Sequence, residues 1–215
     1  MFPTFSRMRG DTGEMKKVYL NIIQGIGMLS LLFNLGLFCV ADNLLVSVLG
    51  KGTGKWLPSL DVLRILCIYG IVRSLIEPAA SLLMANGKVN IPFKANLLVA
   101  VAELAFVYPA IKYGSIEVVG LVVLLAYAGQ AVIYLPALRQ FCDISFREIL
   151  LEIWPAVAAG LVMCFGYLCA KRFISINLTS LVFSAVSMTL LYAIVYGLIT
   201  DFKMYRKLNA MLVSK

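Results

Sequence analysis

The stretch VYLNIIQGIGMLSLLFNLGLFCVA, residues 18–41, contains no charged side chain and decides the fold class of this chain. A helix rises about 1.5 Å per residue, so about 20 apolar residues cross the roughly 30 Å hydrocarbon core of a bilayer. Residues 118–138 and 173–200 are also free of charge. Further predominantly apolar segments lie at residues 57–84, 95–111 and 153–170. The sequence therefore predicts an all-α, polytopic membrane protein with six transmembrane helices.

The composition favours the same class. Hydrophobic residues make up 61% of the chain and charged residues only 14%, which lies far outside the range of ordinary soluble domains. The net charge is +8, but most lysines and arginines lie in short connections between apolar segments. Anionic lipid headgroups are the natural counter-charge there, so membrane lipids are expected partners and nucleic acid is not.

Positive charge is distributed unequally over alternate connections. One set contains Arg7, Arg9, Lys16, Lys17, Lys88, Lys94, Arg139, Arg147, Lys203, Arg206, Lys207 and Lys215. The other set contains Lys51, Lys55, Lys112, Lys171 and Arg172. Because lysine and arginine accumulate in cytoplasmic connections, both termini are predicted to be cytoplasmic, as an even number of spans also requires.

Several kinds of catalytic centre are excluded by residue types. The chain has no histidine, which removes Ser-His and Cys-His nucleophilic arrangements and the HExxH metalloprotease motif. Its five cysteines show no C-x-x-C spacing and indicate neither a zinc site nor a disulfide framework. We therefore predict no catalytic residues, no metal site and no cofactor, and hence a protein that is not an enzyme.

The predicted organisation has five parts. They are a cytoplasmic loop-like N-terminus (1–17), a four-helix membrane part (18–138), an interfacial amphipathic segment (139–152), the last two transmembrane helices (153–200) and a cytoplasmic basic tail (201–215). The amphipathic assignment comes from apolar and charged residues that alternate between positions 143 and 152.

The second span carries the most informative charges. Asp61, Arg64, Arg73 and Glu77 all lie within it, and Pro78 follows directly. A charge at the centre of a span costs about 2.5–3.5 kcal/mol, so such residues normally face protein or water. Arg73 and Glu77 are four residues apart and can form an ion pair that only holds helices together. Alternatively, Arg73 faces a central cavity and neutralises an anionic substrate; the sequence leaves both interpretations open.

Two more polar residues lie within spans. Glu103 is at the middle of the third span and is a candidate for ion coupling, because a carboxylate in the membrane can carry a proton. Its alternatives are a neutral packing residue or a partner for Arg73. Gln24, in the first span, is a candidate cavity contact, although helix packing is the commoner role for an amide side chain. Tyr127 and Tyr134 are interpreted as interfacial or core aromatic residues.

Several segments resemble one family in their order and spacing. The first is MFPTFSRMRGDTGEMKKVYL, in which Phe2, Pro3, Ser6, Arg7, Asp11 and Tyr19 match a cytoplasmic loop of that family. The second is LVSVLGKGTGKWLPSLDVLRIL, through Leu49, Gly50, Lys55, Trp56 and Arg64. SLLMANGK and residues 143–151 are similar to later segments. On this pattern the chain resembles the polysaccharide flippases of the multidrug/oligosaccharidyl-lipid/polysaccharide exporter superfamily, although GKGTGK is longer than the turn usual in that family.

The resemblance implies a bacterial inner-membrane protein that moves a lipid-linked oligosaccharide, of the undecaprenyl-diphosphate type, from the cytoplasmic to the periplasmic leaflet. It also implies two six-helix lobes that alternate access, followed in many members by two extra helices. The chain matches only the second lobe and these extra helices, so we expect a fragment or truncated product that is inactive without the N-terminal lobe or a companion chain. On this interpretation the substrate-binding candidates are Arg73, Arg64, Glu77, Asp61 and Gln24.

Two other functions are compatible with parts of the sequence. A cation-coupled multidrug exporter of the same superfamily would use carboxylates to bind cationic drugs, but the arginines of the second span would repel such a substrate. A membrane-embedded glycolipid enzyme would normally carry clustered Asp, His or Arg residues in a large hydrophilic loop. No connection between the predicted spans here is long enough to be such a loop.

Overall fold

The computed structural model describes residue 5 and residues 12–50, 53–173 and 177–200. In these ranges the chain forms six long helices and no strand. The helices are α1 (Thr12–Leu44), α2 (Leu60–Ala85), α3 (Asn90–Tyr113), α4 (Ile116–Cys142), α5 (Phe146–Ala170) and α6 (Leu178–Ile199). The predicted all-α class with six helices is confirmed.

Some of the predicted features lie outside the described residues. They are Phe2, Pro3, Ser6, Arg7 and Asp11 of the N-terminal pattern, and the basic tail at 201–215. The cytoplasmic location of these segments stays a prediction.

Five of the helices are long and apolar enough to cross a membrane, namely α1 and α3 to α6. Helix α2 has 26 residues and is therefore about 39 Å long, and two of its charged side chains, Arg73 and Glu77, lie well inside the helix. Large apolar side chains are exposed along the spans, for example Phe33 (69%), Leu104 (83%) and Val132 (76%). Such surfaces are stable when lipid tails cover them, so the predicted multi-pass membrane protein is confirmed.

The helices extend beyond the apolar segments that predict them. The segment predicted as a separate interfacial helix, 139–152, is divided: residues 139–142 end α4, and residues 146–152 form the first two turns of α5. The chain breaks earlier, at Asp143, whose positive φ of 50° ends α4. A π-helical turn, Leu45–Leu49, continues α1, and short 3-10 turns occur at Leu57–Ser59 and Lys171–Phe173. The location of residues 139–152 in the membrane interface stays a prediction.

The described residues divide into two compact units. The first unit comprises α1 up to Ser30, then α2, α3, α4 and α5 up to Ile153. The second unit comprises the rest of α1, the rest of α5, and α6.

Polar side chains connect the helices of the first unit. Gln130 on α4 is buried and donates from Nε2 to Oδ1 of Asn96 on α3 at 3.0 Å. The hydroxyl groups of Ser74 on α2 and Ser30 on α1 form a hydrogen bond of 2.6 Å. Hydrogen bonds of this kind stabilise helix association where the apolar tails of lipids provide no hydrophobic driving force.

We expect a measurable coupling between Asn96 and Gln130. In a double-mutant cycle with Asn96→Leu and Gln130→Leu, the coupling energy should be about 0.6 kcal/mol and at most about 1.7 kcal/mol. Equilibrium unfolding in mixed micelles measures it. The matched control pairs Asn96→Leu with Gln140→Leu, an amide of the same helix outside this bond, and should give additive effects. Equal coupling in both cycles would contradict the assignment.

The second unit is joined near the end of α1. Asn43 is buried, donates to the Ser180 hydroxyl of α6 at 3.3 Å, and accepts a hydrogen bond from Ser47 at 2.6 Å. Asp42 forms an ion pair with Lys171, just beyond α5. These contacts connect α1 with α5 and α6 at one end of the unit.

Candidate functional site

The candidate site is built around Arg73, which lies near the middle of α2 and is exposed. Its Nη1 donates to the hydroxyl of Tyr69 at 3.0 Å. Tyr69 is one helical turn earlier on α2, and the i, i+4 spacing brings the two side chains to one face of the helix.

A second tyrosine completes the cluster from another helix. The guanidinium carbon of Arg73 lies 5.6 Å from the ring centroid of Tyr127 on α4 and 5.9 Å from that of Tyr69. The two rings meet edge to face, with centroids 4.9 Å apart and planes at 88°. The negative faces of aromatic rings attract a cation without neutralising it, so Arg73 is positioned while its charge is kept.

Glu77 does not form the close ion pair with Arg73 that the sequence spacing allows. Within the described ranges, the ion pairs closer than 4.0 Å are Lys16–Glu148, Asp61–Arg64 and Lys171–Asp42. Glu77 is exposed, and its carboxylate oxygens lie more than 4.0 Å from the guanidinium nitrogens of Arg73. Of the two interpretations left open by the sequence, the self-contained ion pair is therefore not the one found.

Glu103 lies half-buried near the middle of α3. It shares a shallow surface groove with Leu104, Val107 and Tyr108 of the same helix. Since Arg73, Glu103 and Tyr127 are all close to the midpoints of their helices, the first unit holds a cation, a carboxylate and a phenol in its central turns.

The remaining predicted site residues are not part of this cluster. Asp61 and Arg64 lie at the start of α2, where their side chains approach to 3.8 Å. Nine residues separate Arg64 from Arg73, which corresponds to about 13 Å along the helix. Gln24 is half-buried on α1.

Sequence reasoning missed both tyrosines. The sequence predicts Tyr127 to be an interfacial or core aromatic residue and does not predict its position beside Arg73, near the middle of α4. Tyr69 could have been found from its i, i+4 spacing to Arg73. The approach of Tyr127 depends on the packing of α4 near α2, for which the sequence carries no local signal.

Pro78 adds a local irregularity to α2, one turn after Arg73. It is buried inside the helix and has no N–H to donate to the carbonyl of Ser74. In the same turn, the Ser74 hydroxyl donates to the Ile71 carbonyl at 2.8 Å.

The site offers hydrogen-bond donors that can recognise an anion. Arg73 retains guanidinium donors beyond the one bonded to Tyr69, and these suit the oxygens of a phosphate or carboxylate. In the part of the chain that the structure describes, no three Cys, Asp or Glu side chains come together as a metal ion would require.

Comparison with known proteins places these features in context. Residues 1–61 match the family described as polysaccharide biosynthesis protein. The chain is 28% identical, over 155 residues, to the lipopolysaccharide biosynthesis protein WzxC of Escherichia coli (strain K12); this covers 72% of the chain and 31% of the relative. It is also 28% identical, over 54% of the chain and 23% of the relative, to the teichuronic acid biosynthesis protein TuaB of Bacillus subtilis (strain 168).

A third relative is an uncharacterized membrane protein in the cps region of Klebsiella pneumoniae, 27% identical over 50% of the chain and 22% of the relative. No solved structure shows significant similarity. The chain spans less than a third of the length of the curated relatives it matches. The chain is thus similar to bacterial proteins of polysaccharide biosynthesis, which confirms the resemblance seen in the sequence.

Proposed function

We propose that the chain is part of a transporter in the bacterial inner membrane that moves lipid-linked oligosaccharide from the cytoplasmic to the periplasmic leaflet. Two relatives are named for the biosynthesis of lipopolysaccharide and of teichuronic acid, which supports a role in polysaccharide assembly. The apolar helices support a function inside the bilayer. The substrate would be of the undecaprenyl-diphosphate type, with a long apolar tail and an anionic diphosphate.

The observation that carries this proposal is the exposure of Arg73 together with the contacts of its guanidinium. It is exposed at the centre of a helix, it is held by two tyrosines, and within the described ranges no carboxylate lies at ion-pair distance from it. A charged side chain at that depth is tolerated when it borders water or an enclosed polar path. A guanidinium in such a path attracts an anionic headgroup and repels a cationic drug, which disfavours the multidrug exporter.

The other polar groups have supporting roles in this proposal. Arg64 binds the headgroup near one end of α2, and Asp61 holds the Arg64 side chain in position. Glu103 exchanges a proton or binds a cation, which couples transport to an ion gradient, and Glu77 adjusts the field around Arg73. Gln24 contributes an amide to the wall of the path.

A path between two lobes also requires a second lobe. Since the chain covers 31% of its first relative, we infer that an N-terminal lobe or a companion chain supplies the other wall. Both termini are proposed to be cytoplasmic, because the connections on that side carry most of the lysines and arginines.

Gene disruption tests the function. Disrupting the coding region at its chromosomal locus should lower surface polysaccharide and cause lipid-linked oligosaccharide to accumulate, as lipid extraction and gel analysis would show. Resistance to cationic drugs should stay unchanged. In a second arm, expression of these 215 residues alone in a flippase-deficient strain should not restore surface polysaccharide. Unchanged polysaccharide with lowered drug resistance would favour the multidrug exporter, and restoration in the second arm would disprove the need for another lobe.

A further inference from the structure

A groove of about 500 Å³ lies where α4 ends and α5 begins, away from the Arg73 cluster. Its apolar wall is formed by Leu135, Pro136 and Phe146. Its polar end is formed by Arg139, Gln140 and Ser145. The groove therefore has the amphiphilic character of a phospholipid, with room for a headgroup at one end and an apolar surface at the other.

The position of the groove along α4 suits a headgroup. Helix α4 has 27 residues and is about 40 Å long, which exceeds the roughly 30 Å of hydrocarbon in a bilayer. Arg139 lies in the last turn of α4, beyond the uncharged residues 118–138. Its guanidinium is therefore at the level of lipid phosphates when the apolar part of the helix fills the membrane.

Glu148 has the α5 carboxylate nearest to Arg139 in sequence, and this carboxylate is already paired with another cation. Glu148 accepts hydrogen bonds from Lys16 at 2.8 Å and from the backbone N–H of Ser145 at 2.9 Å. Lys16 also donates to the Asp143 carbonyl at 2.6 Å. Within the described ranges, neither Asp143 nor Glu148 lies at ion-pair distance from Arg139, which is exposed. The groove thus presents an uncompensated positive charge beside an apolar wall.

We propose that this groove binds one anionic phospholipid of the membrane, with its phosphate on Arg139 and an acyl chain along Phe146 and Leu135. The position of Arg139 near the C-terminus of α4 also suits the helix dipole. The helix dipole alone would favour an arginine in the last turn. It does not account for the apolar wall or for the open space beside Arg139. The site is independent of the transport function proposed for Arg73.

The test uses the full chain, purified in detergent with phosphatidylcholine and titrated with phosphatidylglycerol. Native mass spectrometry then gives the fraction of chains that retain a phosphatidylglycerol molecule. Arg139→Gln should weaken this binding about fivefold, since one basic side chain near the headgroups contributes that much. Arg139→Lys keeps the charge and should weaken binding less. Arg147→Gln is the matched control: it removes an exposed arginine of the same region that does not line the groove, and it should leave binding unchanged.

Three results would overturn the proposal. They are equal losses in Arg139→Gln and Arg147→Gln, equal retention of phosphatidylcholine and phosphatidylglycerol by the unmodified chain, and equally tight binding of soluble glycerol phosphate, which would indicate a site for free anions. Far-UV circular dichroism and gel filtration establish that each variant is folded. If Arg139→Gln is misfolded, the comparison of Arg139→Lys with Arg147→Gln decides, and equal binding by these two and the unmodified chain counts against the proposal.

Discussion

Replacing Arg73 by alanine is expected to lower export of surface polysaccharide about tenfold or more, because a hydrogen bond to a charged group contributes about 1.5–3 kcal/mol. The substitution removes the cation that Tyr69 and Tyr127 hold near the centre of α2. It should be made at the native chromosomal locus, so that any companion lobe is present. Surface polysaccharide and accumulated lipid-linked oligosaccharide are then quantified together with the amount of protein in the membrane fraction.

Two further variants make this result specific. Arg73→Lys keeps a positive charge but lacks the planar fork of donors, so it should give intermediate export. Arg172→Ala removes an exposed arginine beyond the end of α5 and should leave export unchanged. Normal export by Arg73→Ala, with normal membrane levels, would remove Arg73 from the transport site.

Replacing Tyr192 by alanine is expected to lower the free energy of unfolding by about 3–5 kcal/mol, the usual cost of emptying a buried aromatic site. Tyr192 is 2% exposed in the second unit, and its ring stacks on that of Tyr196 with centroids 6.1 Å apart. Gly160 of α5 lies against it, since a Cβ at that position would be 3.9 Å from the Tyr192 ring. Equilibrium unfolding in mixed micelles, followed by far-UV circular dichroism, measures the loss.

The same helix provides a matched control. Phe183 is also an aromatic residue of α6, but it is 73% exposed. Lipid tails cover this side chain in the folded protein and in the membrane-inserted unfolded state alike, so Phe183→Ala should cost about 0.5 kcal/mol or less. If the two variants lost stability equally, the inward orientation of Tyr192 would be wrong.

The sequence was sufficient to predict the existence and number of the helices, because an uncharged segment such as 118–138 has few alternatives in a membrane. It was less informative about where helices begin. Helix α5 starts seven residues before the predicted span, because its first turns tolerate polar residues that a hydropathy criterion excludes. The backbone N–H of Ser145 donates to the Glu148 carboxylate there. This bond between polar groups stabilises the start of the helix.

The candidate site was predictable only in part. A charge in an apolar span directs attention to Arg73 and Glu103, and helical spacing adds Glu77 and Tyr69. Spacing permits an Arg73–Glu77 contact but cannot decide between that contact and a rotamer directed at Tyr69. Tyr127 belongs to a different helix, and its approach to Arg73 follows from tertiary packing alone.

Pro78 divides α2 into two segments that differ in how deeply they are buried. The segment after it is firmly anchored, with Ala79, Leu82, Leu83 and Ala85 buried, whereas Cys67 is the only buried side chain between Leu60 and Glu77. Proline cannot donate a backbone hydrogen bond at this position. Tilting the first segment relative to the second therefore breaks fewer hydrogen bonds than bending an uninterrupted helix would. The bending point therefore lies about one turn from Arg73. A small tilt of the segment before Pro78 would displace the guanidinium while residues 79–85 stay in place.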